Sequence, residues 1–276
     1  MICFPNAKIN LGLHITEKRN DGFHNIETVF YPIQWNDALE VIENKNWKAT
    51  DNRYHLTCYG IEIAGDLQQN LIVKAYNLLA EKFDIPPVNI ILLKNIPMGA
   101  GLGGGSSDAA FFIKQMNEIY DLKLNEEALF SMASSLGSDC AFFIKNKPTF
   151  AYEKGNVFKH CVVDLSKYTI LTVFPNIHSN TQHAYSRVVP KKPNHELLKV
   201  IQELRIDDWK ENLVNDFETS VFYHFPEIKK LKDELYEYGA IYASLSGSGS
   251  AVYGIFEKNK LPDLSLLSNY PYSLTN

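Results

Sequence analysis

Cysteine is scarce in this chain, and its placement excludes two kinds of scaffold. Cys3, Cys58, Cys140 and Cys161 are scattered, with no C-x-x-C pair and no metal-ligand spacing. Neither a disulfide framework nor a cysteine metal site is expected, and the four read as reduced, buried thiols. Long apolar runs are missing too, so no segment is expected to span a bilayer. Residues 1–8 lack the basic start and continuous apolar stretch of a secretion signal, which makes the cytoplasm the expected location. Basic charge is also short. A net charge of -5 and a pI near 5.9 argue against a nucleic-acid binder that depends on a basic surface. Lys191-Lys192 and Lys229-Lys230 are too small to change that. No internal repeat, low-complexity tract or clean linker is present.

What is present is enough apolar material for a core. With 276 residues, 45% hydrophobic and 21% charged, the chain is long enough for one large domain or two ordinary ones. Ile9, Leu11, Leu13 and Ile15 alternate with Lys8, Asn10, Gly12 and His14, the period of a half-buried strand. On alternation alone Lys8, Asn10 and His14 form a solvated outer face; alternatively they present a ligand surface. The turn Asn20-Asp21-Gly22 follows, with strands expected over 27–33, 38–42 and 54–59. The period turns helical over 70–83 and Pro86-Pro87 ends it. A short strand over 88–93 leads into residues 99–107. Helices are expected after 107 and over 125–137. Strands over 157–163 and 169–174, helices over 181–188, 195–204, 209–222 and 227–238, and strands over 241–245 and 251–256 complete the pattern. Irregular mixing of helix and strand indicates an α+β fold. A soft boundary near Gly155 divides it into residues 1–155 and 156–276.

Residues 99–107 read Gly-Ala-Gly-Leu-Gly-Gly-Gly-Ser-Ser and hold five of the fifteen glycines in seven positions. Such a run lets backbone amides approach a ligand, and before a helix start it resembles an anion cradle. The literal match to G-x-G-x-x-G fails on context. The dinucleotide fingerprint requires an acid about 20 residues on, at a strand end, and Asp121 follows a helix instead. No G-K-[ST] ends the loop, and no V-A-I-K, H-R-D or D-F-G occurs. A lysine-free phosphate loop remains. Ser106 or Ser107 serves it as a helix cap, or as a contact to phosphate or Mg²⁺.

The segment from Pro97 through Met98, Gly99, Ala100, Gly101, Leu102, Gly103, Gly104, Gly105, Ser106 and Ser107 to Asp108 resembles the central motif of the GHMP small-molecule kinases. It has the longer form typical of one branch, whose acceptor carries a cytidine diphosphate group in non-mevalonate isoprenoid synthesis. Residues 7–11 (AKINL), 21–24 (DGFH) and 246–250 (SGSGS) agree in order and spacing, and residues 137–139 (GSD) and 215–218 (NDFE) fall in the expected intervals. The chain departs from the usual pattern at Phe23, where Tyr is common, and at Ser138, Cys140 and Ala141 around Asp139. The resemblance implies a two-domain fold, with an N-terminal domain like ribosomal protein S5 and a C-terminal ferredoxin-like α/β sandwich.

It also implies an ATP- and Mg²⁺-dependent transferase. Asp139 would be the base for the acceptor hydroxyl and Lys8 the cation beside it. Residues 97–107 would hold the ATP phosphates. Asn70, Leu71, Lys94 and Asp108 would border the adenosine. As bare residues, Asn70 reads as a helix cap, Lys94 as an exposed charge and Asp108 as a first-turn acid. Asn10, Phe23, His24, Tyr185, Ser246, Gly247 and Ser248 would bind substrate, His24 reading the cytosine edge while Phe23 and Tyr185 stack on its faces. Both rings also read as core, and the 246–250 turn as a plain hairpin. No metal ligand is identified. The expected partner is a small molecule with a cytidine diphosphate moiety, not nucleic acid or membrane, and the expected state is a monomer or weak homodimer. The alternatives are homoserine or phosphomevalonate kinase activity, or a nucleotide sensor without chemistry.

Overall fold

Two stretches of β-structure with different connections divide the chain. The computed structural model describes residues 1–179, 181–193 and 195–276. They cluster into two compact units that interleave in sequence. The first gathers Met1–Ala7, Asn36–Pro97 and Gly103–Asn146; the second gathers Lys8–Trp35, Met98–Leu102 and Lys147–Asn276. The glycine run itself is shared out, residues up to 102 belonging to the second unit and those from 103 to the first.

The first unit is built on a four-stranded sheet in the order Ile2–Cys3, Ala38–Glu43, Val88–Lys94, Tyr54–Gly60. The last pair is parallel and the others antiparallel. A parallel pair needs a long crossover, and the helix Leu71–Ala80 supplies it, capped by Asn70 through its side-chain oxygen. Leu39, Val41, Leu56, Ile90 and Leu92 share the buried face of the sheet. The helices Leu71–Ala80, Gly104–Ile119, Glu126–Leu136 and Ser138–Lys145 pack on one another. Asn125 caps the third of these and Glu126 and Glu127 fill its first turn. The helix expected over 125–137 does end at Gly137. Gly137 takes an extended conformation that redirects the chain, and a new helix starts at once with Asp139 in its first turn.

The second unit contains two sheets. One runs Asn6–Lys18, His24–Asn36, Thr149–Tyr152, Val157–His160; the other runs Tyr242–Leu245, Val252–Glu257, Tyr168–Val173, Tyr272–Thr275 and is antiparallel throughout. The helices Glu218–His224 and Pro226–Glu237 bury Val221, Ile228, Leu231 and Leu235 against Leu171, Val173, Leu245, Val252 and Phe256. A continuous helix over 209–222 does not form. It breaks after the turn Trp209–Asn212 because the backbone of 214 and 216 hydrogen-bonds Leu13 in the strand Asn6–Lys18. That strand is buried on both faces. Lys8 is 3% exposed, Asn10 2% and His14 7%, so the expectation of a solvated outer face is overturned. Among the described residues no helix is long and apolar enough to cross a membrane, and all four cysteines are free, Cys140 and Cys161 buried and the other two partly so.

Candidate active site

In the second unit the first half of the glycine run is tied down by its backbone. Lys8 N–H donates to the Leu102 carbonyl (2.9 Å) and Ala251 N–H to that of Ala100 (3.0 Å), while the side chains of Ala100 and Leu102 are buried. Between them Gly101 has φ +76°, and a Cβ there would lie 1.9 Å from the Ser246 carbonyl oxygen, a position only glycine can hold. Two donors converge on the Gly101 carbonyl, Lys8 Nζ at 2.9 Å and Ser246 Oγ at 2.9 Å. Lys8 Nζ also donates to Asn10 Oδ1 (2.7 Å) and lies 5.0 Å from the centre of the Phe30 ring. The turn that carries Ser246, Gly247 and Ser248 joins two antiparallel strands, so its geometry is indeed that of a hairpin. It is clamped from below by Asn215, whose Nδ2 donates to the carbonyls of Leu245 (2.9 Å) and Gly247 (2.8 Å).

In the first unit the helix Gly104–Ile119 starts after Gly103, which has φ 71°. Its first intrahelical bond runs from Ser107 N–H to the Gly103 carbonyl (2.9 Å). The amides of Gly104, Gly105 and Ser106 therefore have no acceptor within the helix. Gly105 is exposed, and a Cβ there would approach nothing nearer than Leu71 Cδ1 at 4.0 Å. Three amides at the positive end of a four-turn helix, with open space at Gly105, have the character of a seat for an anion. Neither serine caps this helix, contrary to expectation. The helix reaches back through two glycines to Gly103, which leaves Ser106 and Ser107 inside it. Ser107 is fully buried and its Oγ has no partner. Ser106 hydrogen-bonds the Cys140 thiol, which burial pushes up to about 11 against the lowering effect of that bond. This contact ties the start of the loop helix to the helix Ser138–Lys145, where the partly exposed Asp139 sits one residue before Cys140.

Lys94 is 2% exposed and not on the surface. Its ammonium is held by Asp37 Oδ2 and by Asp108 Oδ2 (2.9 Å), and a Cβ at Gly104 would come within 2.8 Å of Nζ. Burial pulls the Lys94 ammonium down, but the two carboxylates together outweigh it and hold it above its usual value. Asp108 lies in the second turn of its helix, not the first, and is buried with Oδ1 unpartnered. Burial raises its carboxyl to about 7, against the pull of Lys94 and with Asp37 adding to the rise. Asp37 escaped the sequence reading. Its Oδ1 accepts the backbone N–H groups of Asn95 (2.6 Å) and Ile96 (2.8 Å), so it fixes the turn into Pro97 as well as Lys94. An acid squeezed between two strand segments was the one available signal.

His24 stacks on Tyr185, ring centres 4.6 Å apart at 25°, and Tyr185 meets Phe217 edge-on at 4.8 Å. The Tyr185 ring is thus engaged by two protein rings, while Phe23 is 60% exposed with Lys154 Nζ over its ring. Burial, then Lys18, lowers the His24 pKa, so its imidazole is neutral at pH 7, with one donor and one acceptor nitrogen.

Residues 70–147 match the family model of the GHMP kinases N terminal domain, and residues 197–264 that of the GHMP kinases C terminal. A 4-diphosphocytidyl-2-C-methyl-D-erythritol kinase of Bacteroides thetaiotaomicron is 51% identical over 95% of both chains. The chain belongs to the GHMP kinases. Within that family a second 4-diphosphocytidyl-2-C-methyl-D-erythritol kinase, of Bacteroides fragilis, is 52% identical over 93% of this chain and 92% of its own. A crystal structure of 4-(cytidine 5'-diphospho)-2C-methyl-D-erythritol kinase superposes on this GHMP kinase with a TM-score of 0.82, at 27% identity over 100% and 98% of the two chains. Homoserine kinase from Cytophaga hutchinsonii shares the fold, with a TM-score of 0.66 at 13% identity over 99% and 95%.

Proposed function

We propose that this GHMP kinase transfers the γ-phosphoryl group of ATP to the 2-hydroxyl of 4-diphosphocytidyl-2-C-methyl-D-erythritol, a step of non-mevalonate isoprenoid precursor synthesis. The observation that carries the reading is identity of about half of all positions, over nearly the full length, to kinases named for that acceptor. The anion seat at Gly104, Gly105 and Ser106 supports it, since phosphoryl transfer asks the protein mainly to hold phosphates and place the acceptor.

In this reading the loop amides hold the donor phosphates and Leu71, beside Gly105, borders the nucleotide with Asn70. Lys94 and Asp108 act from beneath, fixing the helix start, because their charged ends are buried against each other. Asp139 accepts or orients the acceptor proton, a contribution of about 10² to 10⁴ in rate. Lys8, with its ammonium aimed by Asn10 and Gly101, steadies the hydroxyl as charge develops. Phe23 offers an open face to the cytosine, neutral His24 reads its edge, and Tyr185 backs His24. Ser246, Gly247 and Ser248 lie along the acceptor phosphates. Mg²⁺ would balance the phosphate charge. Among the described residues no three His, Cys, Asp or Glu side chains gather as for a metal. The ion would then depend chiefly on phosphate oxygens and water, with Ser106 or Ser107 as the protein oxygen nearby. We place the two family parts at residues 1–155 and 156–276, and propose a cytoplasmic monomer or weak homodimer that binds no nucleic acid.

An acceptor panel tests the function. ADP release is expected with the cytidine substrate and not with homoserine or phosphomevalonate. Release with either of those instead would reassign the acceptor, and none with any would leave a sensor.

A further inference from the structure

Thr28 is fully buried in the strand His24–Asn36, in no recognised motif, and a hydroxyl held out of water must be accounted for. Its Oγ1 donates to the Gly12 carbonyl at 2.6 Å and accepts from Asn10 Nδ2 at 3.0 Å. A hydroxyl has one proton. Committing it to Gly12 forces the Asn10 amide to present its NH₂ to Thr28, and therefore its oxygen to the other side. That oxygen is the acceptor of Lys8 Nζ at 2.7 Å. The Asn10 backbone is fixed independently, its carbonyl accepting the hydroxyl of buried Tyr253 at 2.8 Å. A reversed amide would set NH₂ against ammonium.

From this order of protons we infer that Thr28 is a positioning residue for phosphoryl transfer: through Asn10 it sets the direction of the Lys8 ammonium. The inference rests on the role proposed above for Lys8. In this reading Thr28 acts through Asn10, to which it is hydrogen-bonded, and not on the reacting atoms. Val at 28 keeps the shape and the β-branch while removing both hydrogen bonds, and Ser keeps the hydroxyl while losing a methyl.

Wild type, Thr28→Val and Thr28→Ser are assayed with ATP and the cytidine substrate, with turnover normalised to folded protein. Thr28→Val is expected to lower kcat about tenfold to a hundredfold, the size of effect that slight misplacement of a reacting group produces. The KM for ATP should stay unchanged and Thr28→Ser should restore most of the rate. A purely structural role would lower the melting temperature and leave kcat per folded molecule alone. If the Val variant does not fold, Thr28→Cys, a weak hydrogen-bonding replacement, takes its place and should fall between Ser and no rate. Undiminished kcat in the Val or Cys variant, or no restoration by Ser, overturns the inference while wild-type activity upholds the function. No transfer by wild type overturns the function and this inference with it.

Discussion

Two buried lysines, one in each unit, differ in the contacts described for them. Lys94 is enclosed by two carboxylates, Asp37 and Asp108. Among the contacts of Lys8 within its own unit are dipoles and a ring face: the Asn10 amide oxygen, the Gly101 carbonyl and Phe30. Carboxylates bind an ammonium strongly and, when it is lost, remain as stranded buried charges. Dipoles bind it less strongly but specify a direction. The first arrangement suits a residue that holds a fold together, the second one that must point.

Mutation should separate the two. Lys94→Met strands the Asp37 carboxylate and takes the cation from Asp108, and should cost about 3–5 kcal/mol of stability, seen as a large drop in thermal midpoint. Lys8→Met takes the ammonium donor from the Asn10 amide oxygen and leaves the Gly101 carbonyl to Ser246 alone, and should cost about 1–3 kcal/mol. Its turnover should fall further than its stability explains, by about 10² or more, as for loss of a group that stabilises developing charge. Equal ratios of stability loss to rate loss in the two variants would erase the distinction.

A smaller effect sharpens the Lys94 side. The Asp108 carboxyl is raised from its ordinary 3.8 to about 7, so the folded protein binds more protons than the unfolded chain between those values. Stability from this group is then present at low pH and lost as pH rises through about 7. Asp108→Asn should flatten that decline and be at least as stable as wild type at pH 8, while losing its advantage at pH 5. Urea midpoints at the two pH values check it. Parallel pH profiles would place the raised carboxyl elsewhere.

Local chemistry was legible in the sequence where partners lie close along the chain. Asn70 and Asn125 cap helices within two or three residues of the amides they satisfy. The residues around 246–250 form the expected hairpin turn. Even the start of the loop helix came out wrong only in its cap, because the helix begins behind Gly103 in a left-handed conformation and its first amides are left without a side-chain acceptor. Distant partners were not legible. Lys94 looks like a surface charge until Asp37, 57 positions away, is folded against it. Lys8 and Asn10 look like a wet strand face because nothing nearby in sequence announces that Gly101 and Ser246 close over that face. Thr28 carried no signal at all, since its partners are a backbone carbonyl and an amide on the neighbouring strand. The interleaving of the two units has the same origin: the chain crosses between them at 7–8, 35–36, 97–98, 102–103 and 146–147, with no clean linker at any of them.

The central claim is that the anion seat binds the donor while Asp139, on a separate helix, serves the acceptor. It is tested most directly by Asp139→Asn, with ATP affinity measured by calorimetry and phosphoryl transfer to 4-diphosphocytidyl-2-C-methyl-D-erythritol followed in the same preparation. Nearly unchanged ATP binding and a fall in turnover of about 10² to 10⁴ are expected. A merely twofold loss of turnover, or a loss matched by weakened ATP binding, would contradict it.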